Sequence, residues 1–129
     1  MRLLLDTHVA IWALVAPERI PGRVRELMKQ EVNSTWVSAI SIWEISVKHK
    51  LGRVSSPPFS GREAIGFFEN AGFGLLPVTV EHAAMVDNLP RLHADPFDRL
   101  LIAQALSEPM RLVSHDRQVA AYSDTVISL

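Results

Sequence analysis

Residues 2–15 read Arg-Leu-Leu-Leu-Asp-Thr-His-Val-Ala-Ile-Trp-Ala-Leu-Val, and this stretch decides how the chain folds. A short apolar run, Arg2–Leu5, ends abruptly at Asp6, and beyond His8 the apolar residues return with helical spacing. Such a run followed by a period of about 3.6 residues predicts a buried strand that passes directly into a helix. Asp6 would then occupy the junction between the strand and the helix.

The alternation of strand-like and helix-like segments continues along the whole chain. Segments rich in β-forming or apolar residues predict further strands at 35–38, 73–78, 112–114 and 125–129. Helical patterns fall between them, at 23–29, from Ser41 to about residue 51, at 61–71, from Thr79 through Leu89, after Asp95-Pro96, and at 117–122. We therefore expect an α/β fold with three layers, α/β/α, around a mainly parallel central sheet.

Composition limits the classes of protein to consider. The chain has 129 residues, of which 48% are hydrophobic and 21% charged, as is usual for one globular domain, so we expect a single domain over residues 1–129. No apolar run approaches the about 18 residues of a membrane span, and no signal segment is visible, so we expect a cytoplasmic protein without membrane contact. The absence of cysteine excludes disulfides and thiolate metal sites.

Four acidic residues lie at positions where such a fold would bring them together. Asp6 directly follows the first predicted strand, and Asp116 lies two residues beyond Ser114 at the end of the fourth. Ligands of parallel sheets bind beyond the carboxyl ends of the strands, and Glu44 and Asp98 lie on helices that would face the same edge. Four carboxylates in one pocket repel one another unless a cation binds or their pKa values rise. This predicts a site for a hard divalent cation, which prefers oxygen ligands.

Helix capping offers a purely structural explanation for three of these acids. Asp6 and Asp116 occupy plausible helix N-caps, as does Asp95, and Asp98 suits the third helical position, where a negative charge complements the helix dipole. Taken one at a time, these residues fit capping and metal binding equally well. Because four acids from separate elements fall at the same predicted edge of the sheet, metal binding is favoured over capping alone.

Glu44 is different because it lies inside a helix, between Trp43 and Ile45, where an acid is expected to face out of the core. Two structural roles are available to it. Ser41 three residues earlier would form a capping box with it, and Lys48 four residues later would form an ion pair worth about 0.2–0.5 kcal/mol. Neither role excludes metal binding.

Basic residues near the predicted acids have two possible roles. Lys48, Lys50 and Arg53 form the most compact basic group, which either complements the end of a helix or attracts phosphates. Arg99, next to Asp98, either does the same or pairs with an acid. Because the net charge is only −1, any contact with nucleic acid must come from a local patch of this kind.

Histidines and tryptophans carry weaker signals. The five histidines lack the spacing of a zinc site, although His8 and His115 lie close to proposed ligands and could contact a substrate. The three tryptophans are expected to fill the core rather than stack on bases, namely Trp12, Trp36 and Trp43.

Several blocks of sequence resemble a known family. In chain order these are Leu4-Leu5-Asp6-Thr7-His8, Val37-Ser38-Ala39 with Ser41-Ile42-Trp43-Glu44-Ile45, Asp95-Pro96-Phe97-Asp98-Arg99-Leu100-Leu101-Ile102-Ala103-Gln104-Ala105, and Leu112-Val113-Ser114-His115-Asp116. The chain resembles the PIN-domain ribonucleases of the VapC toxin type over essentially its whole length.

The resemblance implies a fold, an activity and partners. It implies a PIN-like fold and a Mg²⁺- or Mn²⁺-dependent endoribonuclease that cuts RNA, is inhibited by a cognate antitoxin and forms a homodimer. The family's acidic quartet carries over to Asp6, Glu44, Asp98 and Asp116, with Asp6 and Asp98 as the central ligands. Its small hydroxyl residue carries over to Ser114, where threonine is more usual, while Asp95 is a possible further contributor. Substrate contacts are expected from Ser114, Lys48, Lys50 and Arg99.

Three other functions remain open at this stage. A metal-dependent phosphohydrolase of the haloacid-dehalogenase type would place a second aspartate two residues after Asp6, but His8 stands there. A noncatalytic interaction module has no need to gather four acids that repel one another. A nuclease that prefers DNA is also possible, although the near-neutral chain shows no extended basic surface for a duplex.

Overall fold

The structure is a computed structural model that describes all 129 residues, and its centre is a five-stranded sheet. The strands, in chain order, are β1 (Arg2–Leu5), β2 (Ser34–Ser38), β3 (Gly74–Leu76), β4 (Arg111–Ser114) and β5 (Ile127–Ser128). Their order across the sheet is β3-β2-β1-β4-β5, and every neighbouring pair is parallel. The predicted sheet is therefore confirmed, and it is parallel throughout.

Seven α-helices connect and cover the strands. They are α1 (Thr7–Val15), α2 (Gly22–Lys29), α3 (Ala39–His49), α4 (Gly61–Asn70), α5 (Val80–Met85), α6 (Pro96–Ser107) and α7 (Arg117–Ala120). Short 3₁₀ turns follow α1 at Pro17–Arg19 and α5 at Val86–Asn88. No helix has the length and apolar character that crossing a bilayer requires.

Two apolar clusters pack against the two faces of the sheet. Because side chains alternate along a strand, Leu3 and Leu5 of β1 point to one face and Leu4 to the other. The first face packs against helices α1, α2, α3 and α4, where Phe68 is fully buried. The second packs mainly against α6, where Leu101 is fully buried. This arrangement is the three-layer α/β/α architecture that the sequence predicts.

The order of the strands fixes where a ligand site can form. From β1 the chain moves outward through β2 and β3, and it then returns to the other side of β1 for β4 and β5. The order reverses between β1 and β4, and sheets of this kind bind ligands at the carboxyl ends of the strands beside such a reversal. Asp6 follows β1 and Ser114 ends β4, so both lie at this point.

The beginning of α3 differs from the prediction. The helix starts at Ala39 with Ser38 as its N-cap, and the Ser38 hydroxyl accepts the Ile40 N–H at 3.0 Å. The predicted capping box of Ser41 with Glu44 is therefore wrong, because β2 passes straight into the helix and Ser41 lies one turn inside it. Capping boxes form instead at Ser60 with Glu63, before α4, and at Thr79 with His82, before α5.

Other differences concern element ends and one aromatic side chain. The predicted helix from Thr79 through Leu89 ends as α-helix at Met85, and the third and fifth strands are shorter than predicted. Trp43 does not fill the core, since it is 59% exposed and packs edge-on against Phe97 with ring centroids 5.2 Å apart. It lies on the outer side of α3, opposite the buried stripe that contains Glu44.

Candidate metal-binding active site

Asp6 serves as a helix cap and also faces the crevice at the carboxyl ends of β1 and β4. As the N-cap of α1, it accepts the Val9 N–H on one carboxylate oxygen at 2.8 Å. Its other oxygen accepts the Ser114 hydroxyl at 2.6 Å and lies 3.4 Å from Nδ1 of His115. The residue is only 3% exposed. Capping therefore uses one oxygen and leaves the second one for the site.

Ser114 ties two aspartates together. While it donates to Asp6, its oxygen accepts the backbone N–H of Asp116 at 3.0 Å, and the residue is fully buried. Asp116 in turn caps α7 by accepting the Gln118 N–H at 2.8 Å. A single hydroxyl thus fixes the distance between the loop after β4 and the loop after β1.

His93 joins Asp116 to Asp98. Its Nε2 lies 2.9 Å from a carboxylate oxygen of Asp98 and 3.1 Å from one of Asp116. Because Nδ1 accepts the Asp95 N–H at 3.4 Å, Nε2 carries the proton and donates to both acids. The Tyr122 hydroxyl accepts the His93 N–H at 2.9 Å and so holds this loop in place. One ligand atom from each of His93, Asp98 and Asp116 can be chosen so that all lie within 4.8 Å of one another.

No sequence pattern singles out His93 among the five histidines. Its partners are carboxylates on other elements rather than further histidines, so a search for zinc spacing does not find it. The only available signal was its position five residues before Asp98.

Asp98 lies where negative charges crowd together. The pKa of its carboxyl is raised to about 6, first by burial and then by the nearby charges of Asp95 and Asp6, while contact with His93 opposes the rise. The predicted cap role of Asp95 is confirmed, since it accepts the Phe97 N–H at 2.8 Å. Its second contribution is electrostatic, because it adds negative charge beside Asp98.

Glu44 forms a second branch of the site. One carboxylate oxygen accepts the Thr7 hydroxyl at 2.7 Å, and the other accepts Nζ of Lys48 at 2.5 Å. Since the single hydroxyl proton of Thr7 goes to Glu44, the Ser41 hydroxyl must donate to Thr7, at 2.9 Å. The predicted pair with Lys48 is confirmed. The expectation that Glu44 faces out of the core is wrong, because it is 4% exposed and these donors replace water.

Two histidines in the crevice, His115 and His8, have shifted pKa values. The hydrogen bond to Asp6 raises the pKa of His115, and the charges of Asp116 and Asp98 contribute to the rise against a smaller opposing effect of burial. Burial lowers the pKa of His8 despite the attraction of Asp6 and Glu44. The two rings meet edge to face with centroids 4.9 Å apart. Asp6, Asp98 and Asp116 therefore lie around His115, and Asp6 and Glu44 lie around His8.

The predicted substrate-contacting cations have different surroundings. Arg99 donates to the carbonyl of Pro90 at 3.1 Å and to the Tyr122 hydroxyl at 3.2 Å, so its guanidinium holds the loop that carries His93. Lys48 is partly exposed and bound to Glu44, and Lys50 is exposed at the end of α3. Contact of these three residues and of Ser114 with a substrate stays a prediction.

The donor set suits a hard divalent cation. It consists of carboxylate oxygens from separate elements, with one imidazole beside them, and no softer ligand lies in the crevice. Burial, followed by the charges of Asp95 and Asp6, disfavours the ionised form of Asp98 and raises its pKa. A cation bound beside it would favour the ionised form.

Comparisons with known proteins agree with this architecture. The family model for the PIN domain matches residues 3–124. The chain is 28% identical over 123 residues to ribonuclease VapC22 of Mycobacterium tuberculosis, covering 93% of this chain and 91% of that protein. It is similar in fold to VapBC2 from Rickettsia felis bound to a DNA fragment from its promoter, with a TM-score of 0.70 and 14% identity over 100% and 98% of the two chains. A toxin–antitoxin complex from Klebsiella pneumoniae gives a TM-score of 0.65 at 16% identity, over 98% and 96%.

Proposed function

The chain belongs to the PIN domain family, and from that premise we propose that it is a Mg²⁺- or Mn²⁺-dependent endoribonuclease, the toxin of a toxin–antitoxin pair. The similarity to a protein named ribonuclease VapC22 supports the choice of RNA as substrate. In this proposal residues 1–129 form one catalytic domain that acts in the cytoplasm as a homodimer.

One observation carries the proposal. Acids that lie far apart in the sequence meet in one crevice, where Ser114 bridges Asp6 to the backbone of Asp116 and His93 bridges Asp116 to Asp98. The pKa of Asp98 is raised to about 6, and a bound cation would favour the ionised forms in such a concentration of carboxylates. Neither a binding surface nor a structural cap requires it.

The proposed roles follow from these positions. Asp6 and Asp98 are the central metal ligands, and Glu44 and Asp116 bind the ion directly or through water. Bound there, Mg²⁺ or Mn²⁺ would polarise the scissile phosphate and make an attacking water more acidic. Ser114 donates to the Asp6 oxygen that does not cap α1 and so fixes its direction.

Glu44 and the nearby cations complete the arrangement. The hydroxyl of Thr7 and the ammonium of Lys48 hold both oxygens of Glu44 in fixed directions, so no reorganisation is needed when a substrate arrives. Lys48 and Lys50 place positive charge beside the acids, where the RNA backbone has to approach.

The same charges suggest how an antitoxin would act. The similarity to a toxin–antitoxin complex supports a protein partner. An arginine of that partner would form bidentate hydrogen bonds to the crowded carboxylates and would exclude both the cation and RNA. This inhibition would weaken as added divalent cation competes for the same oxygens.

The activity is tested by incubating the purified chain with pooled cellular RNA, with Mg²⁺ and with EDTA, and mapping the new ends. We expect cleavage only with Mg²⁺, and we expect Asp6→Asn and Asp98→Asn to abolish it while the protein stays folded by circular dichroism. Asp124→Asn is the matched control, since Asp124 is exposed and forms no ion pair in the structure. Full RNase activity in either crevice variant would contradict the assignment of ligands.

A second experiment addresses the lysines. Lys48→Ala and Lys50→Ala should weaken RNA binding and reduce its salt dependence, because each removes one phosphate contact. Lys50→Ala should leave the affinity for Mg²⁺ unaltered, whereas Lys48→Ala also removes a donor to Glu44. Lys29→Ala is the control, since Lys29 is exposed at the end of α2, before β2 begins and away from the carboxyl edge of the sheet. Equal RNA binding by all four proteins across a salt series would assign these lysines to the solvated surface.

A further inference from the structure

A cleft of about 550 Å³ opens beside the acidic crevice. Its walls are α1, α3 and the segment 51–58, and Thr7 and Glu44 of the site belong to its lining. The carbonyl of Pro57 lies 2.9 Å from Nδ1 of His49, which fastens the outer segment to α3. The cleft therefore reaches Glu44 of the site, and its volume lies within the about 300–1,000 Å³ that small-ligand pockets occupy.

Positive charge is concentrated in this cleft. Arg19, Lys48 and Arg53 line it, and Glu44 is the only carboxylate in its lining. Lys48 pairs with that carboxylate, whereas the guanidinium groups of Arg19 and Arg53 form no ion pair. In a chain whose net charge is −1, two unpaired guanidinium groups in one cleft complement a polyanion.

The same cleft presents a stacking surface. The Arg19 guanidinium lies over the ring of Trp12, 4.4 Å from its centroid, and His8 also lines the cleft. Unpaired bases stack on aromatic rings and on guanidinium planes, whereas bases inside a duplex are not available for such contacts. The expectation that Trp12 only fills the core is thus incomplete, because the ring is half-buried and one edge of the cleft is built on it.

We infer that this cleft binds one unpaired nucleotide of an RNA strand, adjacent to the phosphate that is cut. The base stacks on the pair formed by Trp12 and Arg19, and Arg53 contacts a neighbouring phosphate. The inference rests on the proposed ribonuclease function and adds the requirement for a single-stranded segment. The unpaired arginines and the position of the cleft against Glu44 favour RNA over a peptide as the occupant.

The test measures RNA binding separately from RNA cleavage. The parent is the Asp98→Asn chain, in which the RNA stays intact, and the probe is a short fluorescein-labelled single-stranded RNA read by fluorescence anisotropy. A set of the same RNA with one abasic nucleotide at successive positions locates the stacked base. At one position, loss of the base should weaken binding about 5- to 150-fold, the range expected for stacking on an aromatic side chain.

Variants in the cleft should divide into two classes. Trp12→Leu should lose about as much affinity as the critical abasic RNA and should no longer distinguish abasic from intact RNA. Arg53→Gln should keep that distinction while its salt slope falls by about 0.7, the value for one contact to single-stranded nucleic acid. Arg53 is exposed, so this variant remains informative if Trp12→Leu does not fold, and Lys29→Gln is the charge-matched control.

The results separate this inference from the proposed function. Two results would overturn the inference, even if the wild-type protein cuts RNA: equal affinity for every abasic RNA, or an Arg53→Gln chain with the same salt slope as Lys29→Gln. A peptide would then be the favoured occupant of the cleft. Absence of measurable binding to the parent would overturn it as well. Position-dependent binding without Mg²⁺-dependent cleavage by the wild-type chain would support the cleft and refute the nuclease.

Discussion

Replacement of Asp98 by asparagine should stabilise the metal-free protein at neutral and alkaline pH. The carboxyl is buried beside Asp95 and Asp6, so its ionised form is less favourable in the folded chain than in the unfolded one. Asparagine keeps an oxygen that can accept the Nε2–H of His93, and it removes the charge. The variant therefore retains the local hydrogen bond without the repulsion.

The size of the effect follows from the pKa. Its rise from 3.8 to about 6 corresponds to about 3 kcal/mol of unfolding free energy, since a pKa difference of one is worth about 1.4 kcal/mol. The side chain is 21% exposed, and we expect about 1–2 kcal/mol after screening by water. For a chain of this size that corresponds to a rise of about 4–8 °C in Tm.

The stability difference between wild type and Asp98→Asn should depend on pH. Between pH 3.8 and about 6 the folded wild-type chain holds a proton on Asp98 that the unfolded chain has already lost, so its stability falls as pH rises through this window. The advantage of Asp98→Asn should therefore be absent near pH 4 and complete above pH 7. Thermal unfolding in EDTA from pH 4 to 8 measures it, with Asp124→Asn as the control.

Addition of Mg²⁺ should reverse the order of the two proteins. A ligand at 100 times its Kd stabilises the folded state by about 2.7 kcal/mol, and the wild-type chain should gain more than the variant that lacks a central ligand. An Asp98→Asn protein that is less stable than wild type in EDTA at pH 8, or whose advantage does not change with pH, would refute the assignment of crowded charge at this position.

Three further substitutions test other parts of the structure. Ser114→Ala leaves a buried oxygen of Asp6 without its donor and should cost about 1–3 kcal/mol in urea unfolding, whereas Ser114→Thr should restore most of it. Thr7→Val removes the donor to Glu44, so it should lower stability by a similar amount and should also lower the Mg²⁺ affinity measured by calorimetry, while Thr7→Ser should behave like wild type. Equal Mg²⁺ affinities of Thr7→Val and wild type would show that Glu44 needs no fixed direction. Phe68→Ala should cost about 3–5 kcal/mol because its side chain is fully buried, and a loss below about 1 kcal/mol would contradict the packing between α4 and the sheet.

Local pattern was sufficient for elements whose signals lie within a few residues. The run Arg2–Leu5 is confirmed as β1, and Asp95 with Pro96 is confirmed as the start of α6. At the start of α3 the same approach failed, because Ser38 and Ser41 are both hydroxyl residues before an apolar run and only the point where β2 leaves the sheet selects Ser38. Residues of equal capping preference cannot be distinguished without their tertiary partners.

The burial of Glu44 was also beyond local pattern. Of its two neighbours, Trp43 is 59% exposed and Ile45 is fully buried, and the sequence does not show which of them faces inward. The answer depends on Thr7, which follows β1 and delivers its hydroxyl to Glu44 from a neighbouring helix. A charged residue enters the interior only where such donors are already in place.

The parallel α/β architecture and the placement of Asp6 and Asp116 just beyond strands follow from the sequence, because both depend on periodicity and on spacing along the chain. Tertiary structure alone decided which oxygens remain free, that His93 lies between two carboxylates, and that the pKa of Asp98 rises to about 6. These properties depend on distances between elements and on the exclusion of water. Electrostatic energies change steeply with both, and neither can be read from a single segment of sequence.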